Sequence, residues 1–407
     1  MPDVAPRPPV ILLIVASALG PLALNIFIPS MPRLAEVFAT DFATVQLTLT
    51  LYLIGVSLGQ LVYGPLSDRF GRRPLLLAGV ALYALSALGA LLAQSIGVLI
   101  VARIAQALGG CAGLVLSRAI VRDAWSRGQA ATVLAYMNMA MSVAPALAPA
   151  VGAAIDAWLG WRAIFAALAG VGFLLAAGIW WALPETHHER APLPGLAVTI
   201  MGYWRLMRQR AFLGYSCSVA FSATAFYAFL AGAPYLVVEV MREPPRVYAL
   251  WYFGVSAGYI FGSFLAARLM IRLGVERMIV LGALVAITGV LAMALLGAIG
   301  ILSPAALFLP MICVTMGNGL SQPGAIIGAV SVDPRAFGAA SGLLGCLQMA
   351  IGALGTLAIG HMLDRNQMPL ALFMLAALTL SATGTLLTRR TLTGPGAAVP
   401  AARPVAD

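Results

Sequence analysis

Long apolar runs, separated by short polar or charged breaks, follow one another along this chain. A helix needs about 20 apolar residues to cross a hydrocarbon core of about 30 Å, and twelve runs reach that length. Apolar and polar residues do not alternate along them, so strands are not indicated. The sequence predicts twelve transmembrane helices, near residues 11–32, 43–66, 74–94, 97–121, 130–156, 162–183, 211–239, 247–270, 277–300, 304–328, 336–361 and 368–388.

Composition agrees with a chain that folds in a lipid bilayer. Hydrophobic residues make up 61% of the 407 positions and charged residues 9%, which is too little polar surface to cover a water-soluble globule. The first run is long, lacks a small-residue cleavage pattern and precedes eleven similar runs, so we interpret it as helix 1 and not as a signal peptide. The expected fold class is an all-α membrane protein.

The basic residues follow the predicted loops. All 24 are arginines. If the N-terminus is cytoplasmic, eighteen lie at cytoplasmic ends and five on the other side, with Arg103 alone inside a helix. This distribution satisfies the positive-inside rule and places both termini in the cytoplasm. Topology therefore explains the net charge of +10, and no nucleic-acid partner is predicted.

Residues suited to metal binding or covalent chemistry do not cluster. The four cysteines lie singly within predicted helices, and the three histidines lie in loops or at a helix end, so neither disulfides nor a metal site is predicted. A membrane-embedded enzyme would need grouped acids, bases or nucleophiles at the membrane boundary, and the sequence shows none. The chain is not predicted to be an enzyme or to need a cofactor.

Short sequence matches recur at an offset near half the chain. Arg69-Phe-Gly71 is repeated as Arg272-Leu-Gly274, and Pro32-Arg-Leu34 resembles Pro234-Tyr-Leu236. The matches lie at corresponding helix ends, so we interpret the chain as a duplication that forms two pseudo-symmetric six-helix bundles, an architecture typical of secondary transporters. The expected organisation is a first bundle at 1–183, a cytoplasmic linker at 184–210, a second bundle at 211–388 and a disordered cytoplasmic tail at 389–407.

Four charges interrupt the otherwise uncharged stretch from residue 42 to residue 102, and all four lie in one hairpin. The segment Gly64-Pro-Leu-Ser-Asp-Arg-Phe-Gly-Arg-Arg73, here called the charged hairpin, is similar to the signature loop between helices 2 and 3 of the major facilitator superfamily. Extended back to Gln60, it resembles the bicyclomycin and chloramphenicol resistance exporters (Bcr/CflA type), which are drug:proton antiporters. The resemblance continues from Gly20-Pro-Leu-Ala23 in helix 1 to Ala340-Ser-Gly342 in helix 11.

The chemistry of the hairpin indicates a gating element. Asp68 is expected to accept hydrogen bonds from the start of helix 3, and the arginines are expected to pair with carboxylates on neighbouring helix ends. Asp123, at the end of helix 4, is the expected partner, and the resemblance also implicates its position in a charge relay. Glycines in the hairpin are expected to allow close backbone approach. The alternative is a topology anchor of positive-inside arginines. The predicted gating motif is Gly64, Asp68, Arg69, Gly71, Arg72, Arg73 and Asp123.

Arg103 is the second group of interest. Burying a guanidinium in a membrane helix costs several kcal/mol by most estimates, so Arg103 is expected to face a cavity or a partner. It resembles the helix 4 arginine motif of the superfamily, with Gln106 three residues further on the same face. The predicted role is cavity polarity, substrate contact or proton coupling, and the alternative is snorkelling to the membrane interface.

Helix 5 carries a stripe formed by Pro145, Pro149 and Gly152. The stripe resembles the exporter motif of drug:proton antiporters, in which a proline and small residues let helix 5 bend and pack tightly against the other half. The alternative is a kinked helix with no directional meaning.

Helix 1 departs from the resemblance. Similar exporters usually carry an Asp where this chain has Asn25, and no carboxylate is predicted at mid-membrane. An amide cannot carry a proton, so Asp68 and Asp123 become the better candidates for a titrating group, and neutral or anionic substrates are favoured. For each polar helix residue taken singly, an interhelical hydrogen bond is the alternative to a cavity role. The predicted cavity and coupling residues are Arg103, Gln106, Asn25, Tyr52, Asn138, Tyr227, Asn318 and Gln322.

Together these features predict a secondary active transporter that exports small amphipathic compounds, including drugs, by alternating access, with the proton gradient as its energy source. The alternative is a metabolite exporter or a facilitator without proton coupling, because of Asn25. A channel is disfavoured by the duplication and by the absence of a filter-like loop. The expected partners are a small-molecule substrate and the lipid bilayer, and the protein is expected to be a monomer in a bacterial inner membrane.

Overall fold

The computed structural model describes residues 8–187, 195–333, 336–363 and 365–392, and these residues form helices and no strand. All twelve predicted spans are confirmed as helices long and apolar enough to cross a membrane. Helix 12 continues to Leu392, so the first residues of the predicted tail are helical. Residues 188–194 of the predicted linker and 393–407 of the predicted tail lie outside the described residues.

The membrane helices are numbered 1 to 12 in chain order. Helix 1 is followed by a 3-10 turn, Ile28–Ser30, and a short continuation, Met31–Val37, where Pro29 and Pro32 interrupt regular hydrogen bonding. Helix 7 continues as a π-helical turn, Leu236–Val240. The helix bounds are Val10–Ile26, Phe42–Phe70, Arg72–Leu91, Ile96–Ala124, Arg127–Leu159, Trp161–Ala182, Arg210–Tyr235, Pro245–Leu273, Val275–Ala298, Pro304–Val330, Phe337–Met362 and Met368–Leu392.

The duplication is visible in how the helices pack. Helix 2 packs against helix 4 as helix 8 packs against helix 10, and glycines recur at these contacts with the 203-residue offset. A Cβ at Gly55 would meet helix 4, and one at Gly258 would meet helix 10. Gly71 and Gly274 end helices 2 and 8 at φ +98° and +80°, a region that favours glycine. The glycine pairs are Gly55 and Gly258, Gly59 and Gly262, Gly71 and Gly274, and Gly79 and Gly282.

The two bundles meet through helix 2 against helix 11 and helix 5 against helix 8. One continuous apolar core contains residues of both bundles, among them Leu24 and Tyr252. We call the membrane side that carries Gly71 and the linker the basic side. The side that carries Val37 and Asp41 is the opposite side.

A separate amphipathic helix, Leu196–Met207, lies in the linker. Leu206 and Tyr203 pack against the core of the second bundle, whereas Val198 and Trp204 are exposed. A helix with one exposed apolar face is typical of the membrane interface. The linker is therefore attached to the second bundle through this helix.

Candidate functional site: the charged hairpin and the transport pathway

Arg72 is at the centre of the charged hairpin. Its side chain is 4% exposed, and Nη1 lies 2.6 Å from Asp68 Oδ1. Nε donates to Asp123 Oδ2 at 2.9 Å, and Nη1 also donates to Ser67 Oγ. The Asp68 side chain is 46% exposed and that of Asp123 18%, so water screens the Asp123 pair less. Asp68, Arg72 and Asp123, here called the hairpin network, connect the ends of helices 2, 3 and 4.

The other hairpin residues have separate contacts. Arg73 donates to the main-chain carbonyl of Trp180 on helix 6 and lies 5.9 Å from its ring centroid. Arg69 lies 5.5 Å from the ring centroid of the adjacent Phe70. The close backbone approach predicted at Gly64 is wrong, because a Cβ there would have no described heavy atom within 4 Å.

A residue missed by the sequence prediction caps helix 3. Glu185, in the linker, accepts hydrogen bonds from the backbone N–H groups of Arg72 at 3.0 Å and Arg73 at 3.2 Å. We predicted this capping role for Asp68, but its carboxylate contacts the Arg72 guanidinium instead. The signal in the sequence was an acid two residues after the end of the predicted helix 6, directly after Pro184.

Arg103 is enclosed by the first bundle. It is 0% exposed, and Nη1 donates to the Ala23 carbonyl of helix 1 at 3.1 Å and to Gln106 Oε1 at 2.6 Å. Its guanidinium carbon lies 4.2 Å from the ring centroid of Tyr52 and 5.2 Å from that of Phe27. The snorkelling alternative is wrong, because no part of this side chain reaches a surface.

The described contacts of this cation are with neutral groups. Among the described residues, no carboxylate lies within 4 Å of Arg103. Each desolvated aromatic face contributes about 2 kcal/mol of cation–π attraction. Nε and Nη2 have no hydrogen-bond partner in the part of the chain that the structure describes. Arg103 is therefore a source of positive potential inside the first bundle and does not line an open cavity in this structure.

Asn25 joins the two bundles. Its Oδ1 accepts a hydrogen bond from the Tyr252 hydroxyl of helix 8 at 3.1 Å, and its Nδ2 donates to the Pro21 carbonyl at 2.8 Å. The residue is 3% exposed. An amide supplies both the acceptor and the donor that these partners need, whereas an ionised carboxylate lacks the donor. This geometry accounts for an amide at position 25.

Helix 2 makes further bonds across the interface. Gln46 Nε2 donates to the Ala231 carbonyl of helix 7 at 2.9 Å. The hydroxyls of Thr50 and Thr356 lie 2.7 Å apart. These contacts lie between the opposite side and the middle of helix 2, so the two bundles are closed against each other there.

The remaining predicted cavity residues do not converge on one point. The Tyr227 hydroxyl donates to the Met349 sulfur at 3.3 Å, and Asn318 Oδ1 accepts from a serine of helix 7 at 2.7 Å, both within the second bundle. Asn138 is exposed on helix 5 and Gln322 is partly exposed on helix 10. For Tyr227 and Asn318, the geometry is that of interhelical hydrogen bonds.

Helix 5 is continuous through Pro145 and Pro149. Gly152 is the point of closest packing, because a Cβ there would collide with the main-chain oxygen of Ile26 on helix 1. The tight contact predicted for this stripe is therefore present at Gly152. Its partner is helix 1 of the same bundle and not the other half.

Two cavities lie away from Arg103. An apolar groove of about 610 Å³ lies between helices 9 and 10 and includes Cys313. A cavity of about 290 Å³ lies between helices 2 and 11 at the opposite side, where Asp41 and His361 line it. The backbone N–H of Thr44 donates to Asp41 at 2.6 Å and lowers the pKa of that carboxyl below its usual value. Neither cavity gathers the residues predicted to line the transport path.

Comparison with known proteins identifies the family to which this geometry belongs. A family model described as the Major Facilitator Superfamily matches residues 13–356. The chain belongs to the major facilitator superfamily. Membership confirms the predicted fold of twelve helices in two pseudo-symmetric bundles and makes the protein a multi-pass membrane transporter of small molecules and not an enzyme.

Several relatives align with most of the chain. An uncharacterized MFS-type transporter of Bacillus subtilis strain 168 is 32% identical, over 84% of this chain and 86% of its own. The chloramphenicol resistance protein of Pseudomonas aeruginosa is 30% identical, over 91% and 88%. A bicyclomycin resistance protein homolog of Haemophilus influenzae is 29% identical, over 86% and 88%.

Solved structures of other transporters share the fold. A peptide transporter in complex with sulfate has a TM-score of 0.76 at 15% identity, covering 95% of this chain and 96% of that one. A D-xylose–proton symporter has a TM-score of 0.74 at 17% identity, covering 94% and 96%. At these identities the likeness concerns the fold alone.

Proposed function

We propose that this protein exports small amphipathic compounds, drugs among them, by alternating access. The chloramphenicol resistance protein and the bicyclomycin resistance homolog support the proposal, because they align with most of this chain. The two bundles would rock about the contacts of helix 2 with helix 11 and of helix 5 with helix 8. The hairpin network would act as the gating element at the basic side.

The proposed charge of the substrates rests on the charges buried inside the membrane. Arg103 is a wholly buried cation, and Asn25 is neutral. Asp156 is the one buried acid of the described residues, and it lies near the opposite side with Arg33 Nη1 at 3.4 Å. A positive interior of low dielectric disfavours lipophilic cations. The proposed substrates are therefore neutral or anionic.

We infer that proton antiport drives this export, with a carboxylate of the hairpin network as the titrating group. Asp68 and Asp123 both contact Arg72, so a proton on either one would remove an ion pair that holds the hairpin. Asp68 is the more accessible of the two, since its side chain is 46% exposed.

A second candidate is an exporter of an endogenous metabolite or a facilitator without proton coupling. The neutral Asn25 supports it, because a side-chain amide, unlike a carboxylate, does not take up and release a proton at physiological pH. This candidate shares the fold and the hairpin network and differs in its energy source.

The proposed location is a bacterial inner membrane, with the basic side and both termini in the cytoplasm. The arginine distribution supports this orientation, and twelve spans return the chain to the side on which it began. The proposed organisation is a monomer without a nucleic-acid partner, with bundles at 1–183 and 211–388, a linker at 184–210 and a tail at 389–407.

Transport by the purified protein in proteoliposomes tests substrate and coupling together. A panel of neutral, anionic and cationic amphipathic compounds would be assayed with and without an imposed pH gradient. Gradient-dependent accumulation of neutral or anionic compounds is the expected result. Movement down the concentration gradient alone would favour the facilitator, and transport of cations alone would contradict the charge argument.

A further inference from the structure

Glu185 links two parts of the molecule that transport must coordinate. Its Oε1 accepts from the Arg72 N–H at 3.0 Å and its Oε2 from the Arg73 N–H at 3.2 Å. These are two of the N–H groups that a helix start leaves unpaired, and an anion is favourable there. Oε1 also accepts from the N–H groups of Thr186 at 2.9 Å and His187 at 3.0 Å. One carboxylate therefore binds the start of helix 3 and folds the first residues of the linker.

The hairpin backbone is shaped to admit this carboxylate. Gly71 has φ +98°, and the position of a Cβ there lies 2.5 Å from Glu185 Oε2 and 3.2 Å from its Cδ. A side chain at Gly71 would be strained by its backbone angle and would also displace Glu185. The motif glycine is thus needed for the contact with the linker as well as for the turn.

The same short stretch of linker also reaches helix 4. His187 Nδ1 lies 4.0 Å from Asp123 Oδ2, the oxygen that accepts from Arg72. Further along, the linker is attached to the second bundle through Leu206, which is 2% exposed. The linker therefore contacts the hairpin network at His187 and the core of the second bundle at Leu206.

We propose that Glu185 is a positioning residue that fastens the linker to the charged hairpin, so that displacement of the second bundle is transmitted to the hairpin network. We call the contact of Glu185 with the Arg72 and Arg73 amides the linker clasp. The proposal rests on transport by alternating access, but it depends on no particular substrate.

Hydrogen–deuterium exchange and transport kinetics test the clasp in the full-length protein in nanodiscs and proteoliposomes. In Glu185→Ala, we expect the Arg72 and Arg73 amides to exchange at least tenfold faster, and the maximal transport rate to fall about tenfold with KM unchanged. Glu185→Gln retains one acceptor oxygen and should give intermediate values. Glu36→Ala, an exposed acid on the opposite side, is the control and should change neither quantity.

Gly71→Ala provides an independent test of the same contact. The new methyl group would displace Glu185. The double variant Gly71→Ala, Glu185→Ala should therefore have nearly the same amide exchange rates as Gly71→Ala alone. If the two substitutions acted independently, their effects on the exchange rates would multiply. Unchanged amide exchange in Glu185→Ala would refute the linker clasp. Faster amide exchange with a normal maximal transport rate would show that Glu185 caps helix 3 but has no role in transport, which would refute the proposal. Amide exchange is measured without a substrate and therefore tests the linker clasp by itself. A wild-type protein that transports no compound would contradict the proposed function and leave the amide-exchange result standing.

Discussion

Replacing Tyr252 with phenylalanine tests whether the bond between the bundles stabilises the state closed at the opposite side. The Tyr252 hydroxyl donates to Asn25 at 3.1 Å, and both residues are buried. If alternating access separates the bundles at the opposite side, this bond exists only in the closed state. Tyr248 is a matched control on the same helix, since it is equally buried and its ring centroid lies 5.7 Å from that of Tyr252. Its hydroxyl has no hydrogen-bond partner among the described residues.

The expected magnitude follows from the partner that is left behind. Tyr252→Phe removes a neutral hydrogen bond, which contributes about 1 kcal/mol, and leaves a buried acceptor on Asn25 unpaired, which costs about 1–3 kcal/mol. A loss of about 1–2 kcal/mol lowers the closed population relative to the open one by roughly 5- to 30-fold. Tyr248→Phe removes a hydroxyl that has no hydrogen-bond partner among the described residues, so we expect the closed population to be unchanged.

Glu36 of the first bundle and Arg246 of the second bundle are exposed on the opposite side. The distance between spin labels at these two positions would measure the closed and open populations. The labels would be placed in a variant whose four native cysteines have been replaced. Distances would be measured in lipid nanodiscs by double electron–electron resonance. A larger long-distance fraction in Tyr252→Phe alone is the expected result. Equal shifts in both variants would assign the effect to aromatic packing, and an unchanged distribution in Tyr252→Phe would refute the role of the bond.

Four further predictions concern the hairpin, the buried cation, helix 1 and helix 5. Asp68→Asn should abolish export with normal membrane insertion, because Arg72 loses one of its two acids; wild-type transport at equal expression would contradict the gating role. Arg103→Ala should lower transport of most substrates at least tenfold, and unchanged drug tolerance in an expressing, pump-deficient host would count against this. Asn25→Asp should raise uptake of a lipophilic cation into inverted vesicles relative to a neutral compound, since it adds an acid near mid-membrane; an unchanged ratio would argue against charge selection. Gly152→Ala should destabilise the protein by about 1–3 kcal/mol through overpacking against helix 1, which would lower the midpoint of thermal unfolding. Gly170→Ala is the control and should leave the midpoint unchanged, because a Cβ at Gly170 has no heavy atom within 4 Å.

The parts of the structure that local chemistry determines were predictable. Apolar length located all twelve helices, and the Arg-x-Gly matches at Gly71 and Gly274 indicated two corresponding helix ends, which both have positive φ in the structure. The pairing of Asp123 with an arginine of the hairpin was expected because these residues lie at neighbouring helix ends, and the structure shows that the arginine is Arg72, at 2.9 Å. These features depend on hydropathy, charge and turn geometry, which are properties of short segments.

The parts that depend on how helices rotate against one another were not predictable. The acid that caps helix 3 proved to be Glu185 and not Asp68, and the closest partner of Gly152 is helix 1 and not the other bundle. Gly64, expected in a tight contact, has open space beside it. Membrane helices are apolar around most of their circumference, so their sequence periodicity does not say which face meets which neighbour.

Twelve membrane helices and one charged hairpin follow from the sequence alone, because span length and charge placement are set by the bilayer. The short repeats and the resemblance to the major facilitator superfamily indicated a duplicated transporter. Helix packing was needed to show that Arg103 contacts Tyr52 and Phe27 and no acid of the described residues, and that Asn25 bonds Tyr252. Asn25 and Tyr252 are 227 residues apart. Their contact depends on the depth and rotation of two helices in different bundles, which only the packing of the whole molecule specifies.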